Sequence, residues 1–307
     1  MRSESRSTHR GPDIRIGLHA LGIGSASNPE VITAVAVAAE ARGFATLWCG
    51  EHVIMVDNPT SRYPYSPDGS IGVPADADWL DPLLGLSFIA GHTRWITLAT
   101  GVLLLPEHNP LIIAKQAATL DVLSGGRFAL GVGVGWSEEE FDALGVPFAR
   151  RGARTSEYIT AMRRVWASDV ASFFGEFVRF DGVRVYPKPV RERKIPVIVG
   201  GISDAALRRV AMIGDGWYGF NLAAAEVPDR VGALAEHCRD SGRDPQSVSV
   251  AVSLSDGGPE LLPELANMGV TELVIVAPPP AGPVAAAGWV NELAERWIRG
   301  PVRYGAG

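Results

Sequence analysis

The feature that most constrains this chain is a change of hydrophobic period that recurs along its 307 residues. Short apolar runs of strand type alternate with longer stretches of helical pattern, and the pair occurs eight times. Strands are expected at 14–19, 45–49, 96–101, 128–133, 197–199, 216–220, 248–254 and 273–276. Helices are expected at 29–42, 81–92, 110–123, 155–167, 204–213, 228–241, 259–268 and 284–297. The punctuation supports this reading. Asn28 caps a helix that opens on Pro29, and Gly43 ends it. Alternating β and α elements specify a parallel sheet. Eight units favour a closed (β/α)8 TIM barrel of class α/β over an open doubly wound sheet.

Two stretches interrupt the rhythm, one after strand two (52–79) and one before strand five (172–194). The first is polar and rich in Pro and Gly, too long for an ordinary connection. The second alternates apolar and polar residues around Asp181-Gly182, which reads as a hairpin turn. Residues 1–12 are expected to be a disordered tail, and 13–307 one barrel domain with these insertions.

Composition removes several classes of partner. The net charge is −6 with acidic residues dispersed, so neither nucleic acid nor an anionic membrane surface is expected. No apolar run is long enough to cross a bilayer. The two cysteines, Cys49 and Cys238, form no disulfide framework and no metal pattern. A cytoplasmic location and a small-molecule substrate follow as expectations, with no metal.

Barrel active sites lie at the C-terminal ends of the strands. Those ends carry His19, Glu51-His52, Gly101-Val102, 133–136, Gly200-Gly201, 219–221 and 253–256. A Schiff-base mechanism needs a lysine there, and Lys115, Lys188 and Lys194 lie elsewhere. The histidines do not cluster as metal ligands, and no G-x-S-x-G elbow is present. A dinucleotide fingerprint would need glycine at 136, where Trp136 stands. What remains is glycine, aromatic residues and one or two histidines. That set suits a large flat ring that brings its own chemistry. Glycines at 131, 133 and 135 fall on alternate positions and strip one face of the fourth strand, which marks a place where a ligand or another stretch of backbone comes close. Gly200-Gly201, with Ser203 before a helix, suits a phosphate or a plain tight turn.

Three blocks, AEARGFATLWCGEH (39–52), TLATGVLLLPEHNPLIIAKQAATLDVLSGGRFALGVGVGW (97–136) and IPVIVGGISDAALRRVAMIGDGW (195–217), resemble the luciferase-like monooxygenase family, and especially its branch dependent on the deazaflavin coenzyme F420. The resemblance covers roughly residues 13–220. It implies a (β/α)8 barrel, a homodimer, and reduced F420 or, alternatively, reduced FMN at the barrel mouth. His52 then lies by the ring. Thr100, Gly101 and Val102 match a bulge with a non-prolyl cis peptide. Gly133, Gly135 and Trp136 match the floor beside the ring, so that the bare glycine face reads as cofactor clearance, and Gly200, Gly201 and Ser203 match the phosphate end. His19 faces either this pocket or a neighbouring strand.

The expected catalytic residues are His52, Glu51 and Trp136. His52 can move a proton near neutrality. Glu51 either acts directly or orients His52. Trp136 stands where some F420 enzymes carry a glutamate, and would stack on the ring or wall the pocket. His108 is expected on a rim loop, Arg127 to be structural, and Tyr63, Tyr65 and Trp79 to line a lid. Two activities remain open at this stage: hydride transfer with F420, and FMNH2-dependent oxygenation, either of them with a reductase as partner. A third reading is a barrel that binds a flavin without turnover.

Overall fold

The computed structural model describes residues 14–298; the tail expected over 1–12 lies outside them. The elements run β1 (Arg15–Leu21), α1 (Pro29–Ala41), β2 (Thr46–Cys49), α2 (Pro82–His92), β3 (Thr97–Thr100), β4 (Leu103–Leu104), α3 (Pro110–Leu123), β5 (Phe128–Gly133), α4 (Glu138–Ala143), α5 (Arg151–Ala167), β6 (Ala171–Phe174), β7 (Arg179–Val183), β8 (Val197–Gly200), α6 (Asp204–Ile213), β9 (Gly216–Leu222), α7 (Val227–Asp240), β10 (Ser249–Leu254), α8 (Leu262–Asn267), β11 (Glu272–Val276) and α9 (Pro283–Trp297). The sheet order is β3-β2-β1-β11-β10-β9-β8-β5, all parallel, and a β3–β5 pairing closes the barrel. The eight expected units are therefore present, and the fold is the (β/α)8 TIM barrel.

Helix starts follow the chemistry of their caps. Asn28, Asp81, Asn109 and Ser203 each accept a backbone N–H of the first turn, and Pro stands at the first helical position after the first three. The aliphatic core lies between the strands and the helices, and a second cluster fills the barrel axis with Trp48, Ala99, Ile198, Tyr218, Ala251 and Val274. Trp48 and Tyr218 stack there at 4.7 Å. Below them, Glu272 accepts from Trp48 Nε1 at 3.0 Å.

The structure differs from the expectation in three places. The hairpin β6–β7 forms, but its turn lies at 175–178. There the Glu157 carboxylate accepts the N–H groups of Glu176, Phe177 and Val178. Asp181-Gly182 instead sits inside β7 at a register shift, with Ser172 Oγ accepting from the Gly182 N–H and Gly182 at φ +61°. A glycine in that conformation serves a bulge as well as a turn. The eighth-strand region is preceded by a short α8 rather than a helix over 259–268, because its first residues form a 3-10 turn, Pro259–Leu261. Finally, β4 and α4 have no counterpart in the sequence reading. Both are short, and α4 lies in an acidic run.

Candidate active site

The strand ends at the mouth are crossed by the segment 53–80, which is fastened to the barrel at separate points. Glu139 Oε1 accepts from Thr60 N at 2.6 Å and Ser61 N at 3.0 Å. The Thr60 hydroxyl also donates to Glu139 Oε1 at 2.6 Å, and this bond first, with those of Ser61, holds the Glu139 carboxyl well below the usual range. Asn221, at the end of β9, donates Nδ2 to the Tyr65 carbonyl at 2.9 Å. Trp79 Nε1 donates to the Gly50 carbonyl at 3.2 Å. Tyr63, Tyr65 and Trp79 thus lie over the mouth, in the position expected of a lid.

The side chains at the mouth form a chain of edge-on rings. Trp79 meets His52, His52 meets Trp136, Trp136 meets Tyr63, Tyr63 meets Tyr65, Tyr65 meets Phe220 and Phe220 meets His19, with centroids 4.9–5.9 Å apart. Such tilted contacts are favourable for aromatic pairs. The rim draws on the ends of β1, β2, β5 and β9 and on the lid.

His52 is held from two sides. Its side chain is 7 % exposed, and Nδ1 lies 2.8 Å from Glu140 Oε2. Trp136 Nε1 donates to His52 Nε2 at 3.4 Å. A carboxylate on Nδ1 and a donor on Nε2 select the tautomer with the proton on Nδ1. Glu140, the residue that orients His52, was not singled out in the sequence. Its signal was present but weak: it is the third glutamate of the run SEEEF, capped by Ser137 and next to the buried Phe141. The Glu140 carboxylate also accepts the N–H groups of Val53 and Ile54, so it anchors the start of the lid.

Glu51 does something else. It is buried, with Oε2 accepting from Leu104 N at 2.6 Å and both oxygens 3.1 Å from His108 Nε2. It orients His108, not His52. His108, expected on a rim loop, is this carboxylate's partner; burial opposes its charge, but the contact with Glu51 prevails and raises its pKa.

His19 lies two residues before the end of β1, with Nδ1 3.0 Å from Tyr218 Oη. Burial lowers its pKa to about 4, so it is neutral at neutral pH. It lies over the barrel axis, against Gly50 and Gly101. The Gly101-Val102 peptide is cis, as the resemblance implies. Thr100 directs its hydroxyl into the barrel wall, donating to the Gly131 carbonyl at 2.6 Å.

The glycine-lined face of β5 is not open space. A Cβ at Gly131 would strike the Thr100 carbonyl, and one at Gly133 would lie 2.6 Å from Val102 Cγ2. A Cβ at Gly200 would lie 2.8 Å from Val102 Cγ1. Val102 is therefore wedged between two glycines, and the bare face receives the β3–β4 bulge. The clearance reading is corrected to that extent: the glycines admit the protein's own backbone and a valine. Gly135 lies against Phe141 and Glu107.

Gly201, at φ +113°, donates its N–H to the Tyr218 carbonyl and accepts from Trp217 Nε1. Ser203 caps α6, accepting from Ala206 N. The Tyr65 hydroxyl lies 3.9 Å from where a Cβ at Gly201 would be. The α6 N-terminus thus opens beneath the lid. Among the described residues no cluster of His, Cys, Asp and Glu could hold a metal, and no helix is long and apolar enough to cross a membrane.

Residues 16–255 match the family model of luciferase-like monooxygenases. An uncharacterized protein of Mycobacterium tuberculosis is 36 % identical over 266 residues, which is 86 % of this chain and 92 % of that one. An FMNH2-dependent dimethylsulfone monooxygenase of Pseudomonas putida is 38 % identical over 113 residues, 36 % of this chain and 31 % of that one. Among solved structures, the coenzyme F420-dependent tetrahydromethanopterin reductase of Methanopyrus kandleri superposes with a TM-score of 0.72 at 17 % identity, covering 93 % of this chain and 99 % of that one. At that identity the likeness concerns the fold.

Proposed function

The chain belongs to the luciferase-like monooxygenase family, a family of oxidoreductases, and we propose from this that it transfers hydride between coenzyme F420 and a small organic substrate. The observation that carries the reading is the aromatic rim, Trp79 through His19, set over a barrel axis already filled by Trp48 and Tyr218. It offers a flat ring faces and edges at the mouth but no lysine, metal cluster or serine elbow of the protein's own. The group fits: the rim would hold the ring system, and Gly200, Gly201 and Ser203 at the start of α6 would hold a phosphate.

When bound, the deazaflavin supplies or accepts the hydride. The protein's residues do the rest. His52 holds the proton that the substrate gains or loses, at Nε2, because Glu140 occupies Nδ1. Trp136 marks the place of that proton by donating to the same nitrogen. His19, neutral and bonded to Tyr218, would present an uncharged edge to the bound group. The lid residues Tyr63 and Tyr65 exclude water. Glu51 supports the bulge through Leu104 and holds His108, and acts on His52 through neither.

A second reading, reduced FMN with O2 and a partner reductase, has its support in the segment shared with the dimethylsulfone monooxygenase. Anaerobic titration of the purified protein with F420 and FMN, each oxidised and reduced, separates the two. Tight F420 with weak FMN supports hydride transfer, and His52→Ala then lowers turnover far more than affinity. The reverse preference overturns the F420 reading. We also propose a homodimer through α2 and α3, whose Leu84, Phe88, Ile112 and Leu123 are exposed; light scattering reads its mass.

A further inference from the structure

Two imidazoles face the mouth, His19 from β1 and His52 from the turn after β2, and their surroundings give them opposite polarity. His52 has a carboxylate on Nδ1, so its proton sits there and Nε2 accepts. His19 meets a hydroxyl instead: its Nδ1 lies 3.0 Å from Tyr218 Oη. Burial is what lowers its pKa to about 4, so the ring carries a single proton at neutral pH. Among the described residues its Nε2 has no hydrogen-bond partner, yet it is not one of their sealed unpaired atoms, which both belong to Glu107. Nε2 therefore opens on the mouth, 3.2 Å from where a Cβ of Gly50 would stand.

Which nitrogen of His19 holds the proton is decided further round the barrel. Asn221, near the end of β9, donates its backbone N–H to Ser253 Oγ of β10 at 2.8 Å. A backbone N–H can only donate. The buried Ser253 oxygen is thus an acceptor on that side, and its own proton is left for another oxygen. The Tyr218 hydroxyl is that oxygen: the Ser253 side chain hydrogen-bonds to it and favours charge on it, while burial keeps the phenol protonated. An oxygen that receives the Ser253 proton is left with its own O–H for His19 Nδ1. Each hydroxyl accepts on one side and donates on the other, so the group at the head sets the direction of the whole chain. A neutral imidazole that accepts at Nδ1 carries its proton at Nε2.

We propose that His19 is a hydrogen-bond donor of fixed polarity at the mouth, its proton held at Nε2 by the chain from Asn221 through Ser253 and Tyr218, and that it takes a carbonyl oxygen of the bound ring system. The mouth then offers one imidazole that donates and one that accepts. A carbonyl on the ring goes to His19, and the hydroxyl that exchanges a proton goes to His52. A neutral imidazole N–H polarises a carbonyl without surrendering its proton. His19 binds and polarises; it moves no proton. The choice of a ring carbonyl rests on the cofactor reading proposed above, whereas the polarity of His19 does not.

The first measurement needs no cofactor. NMR of the imidazole nitrogens at neutral pH is expected to show His19 protonated at Nε2 and His52 protonated at Nδ1 in the same spectrum. His19 is assigned by loss of its signals in His19→Asn or, should that variant not fold, by through-space contacts to Tyr218. A His19 proton on Nδ1 overturns the proposal, whatever the variants do. Tyr218→Phe keeps the ring and removes the O–H; His19 is then expected to show both tautomers, and an unchanged pure form overturns the role of the chain. The second measurement is Raman difference spectroscopy of bound F420 and of bound FMN. The ring C=O stretch is expected at lower wavenumber in the wild type than in His19→Asn or Tyr218→Phe, with affinity for the ring about 5-fold weaker in the variants, the scale of one net hydrogen bond. A cofactor that binds with the same stretch in all three proteins overturns the proposal and leaves the F420 reading standing. Preference for FMN, with the stretch still moved, overturns the F420 reading and leaves His19 as proposed.

Discussion

Glu140 Oε2 lies 2.8 Å from Nδ1 of His52, across 88 residues of sequence, and the same carboxylate takes the backbone N–H groups that begin the lid. One side chain therefore fixes both the proton-bearing nitrogen and the entry of the loop that covers it. Glu140→Gln keeps the size and one acceptor but loses the charge. We expect kcat to fall by about 100-fold, the scale of general acid–base catalysis, with KM changed much less. A matched rise in KM alone would show that Glu140 serves only the loop. Steady-state kinetics against pH read the difference.

The wedge of Val102 between Gly133 and Gly200 makes a second expectation. Gly133→Ala places a methyl 2.6 Å from Val102 Cγ2 and is expected to cost about 1–3 kcal/mol, as overpacking does. Val102→Ala removes that methyl. The double variant should then be more stable than the sum of the two single effects requires, a non-additivity that a denaturation cycle measures. Simple addition would mean that the two residues do not press on each other.

Two buried groups give stability a pH dependence of opposite sign. His19 has its pKa lowered from 6.5 to about 4, so the unfolded chain binds its proton first on acidification. Its neutral form is accommodated without cost above about pH 6.5, and stability falls between there and about pH 4 by about 3 kcal/mol. Glu107 is raised from 4.5 to about 9. The stability linked to it is full below about pH 4.5 and declines as pH rises towards 9, by about 3 kcal/mol at neutrality. Urea unfolding at a series of pH values should show E107Q with a flatter alkaline limb and His19→Asn with a flatter acid one.

Arg127 opens β5 at the end of the barrel away from the mouth. Its guanidinium donates to the carbonyls of Ser124, Ile96, Ala90 and Thr93 and to the Thr93 hydroxyl. Lysine cannot reproduce that planar set of donors. Arg127→Lys should lower stability by about 2–4 kcal/mol through the lost bonds and leave cofactor affinity unchanged. Thermal unfolding beside a binding titration checks both halves.

The barrel was readable because its cues are local and periodic. β5, α3 and α6 run where pattern and caps put them, at Phe128–Gly133, Pro110–Leu123 and Asp204–Ile213. The site was readable only where a strand end names it, as with His19, His52 and Trp136. Its wiring was not, because it joins residues that no period relates: Glu140 to His52, Glu51 to His108, Asn221 to the Tyr65 carbonyl. The glycines of β5 show the same limit. Their spacing declared a close approach, but what approaches is the bulge after β3, a partner from another strand. The Asp181-Gly182 pair carried a signal shared by turn and bulge, and Glu157, far upstream, decided between them.

The rim is built from two kinds of material. His19, His52, Trp136 and Phe220 sit on strand ends, whereas Tyr63 and Tyr65 belong to a loop held by Asn221 and Glu139, both outside it. The docking points stay with the barrel when the loop is exchanged. A transplanted loop of another sequence needs only a backbone carbonyl for Asn221 and two amides for Glu139 to seat itself. What the mouth admits would then change with the loop as an interchangeable part, while the strand-end residues stay as they are.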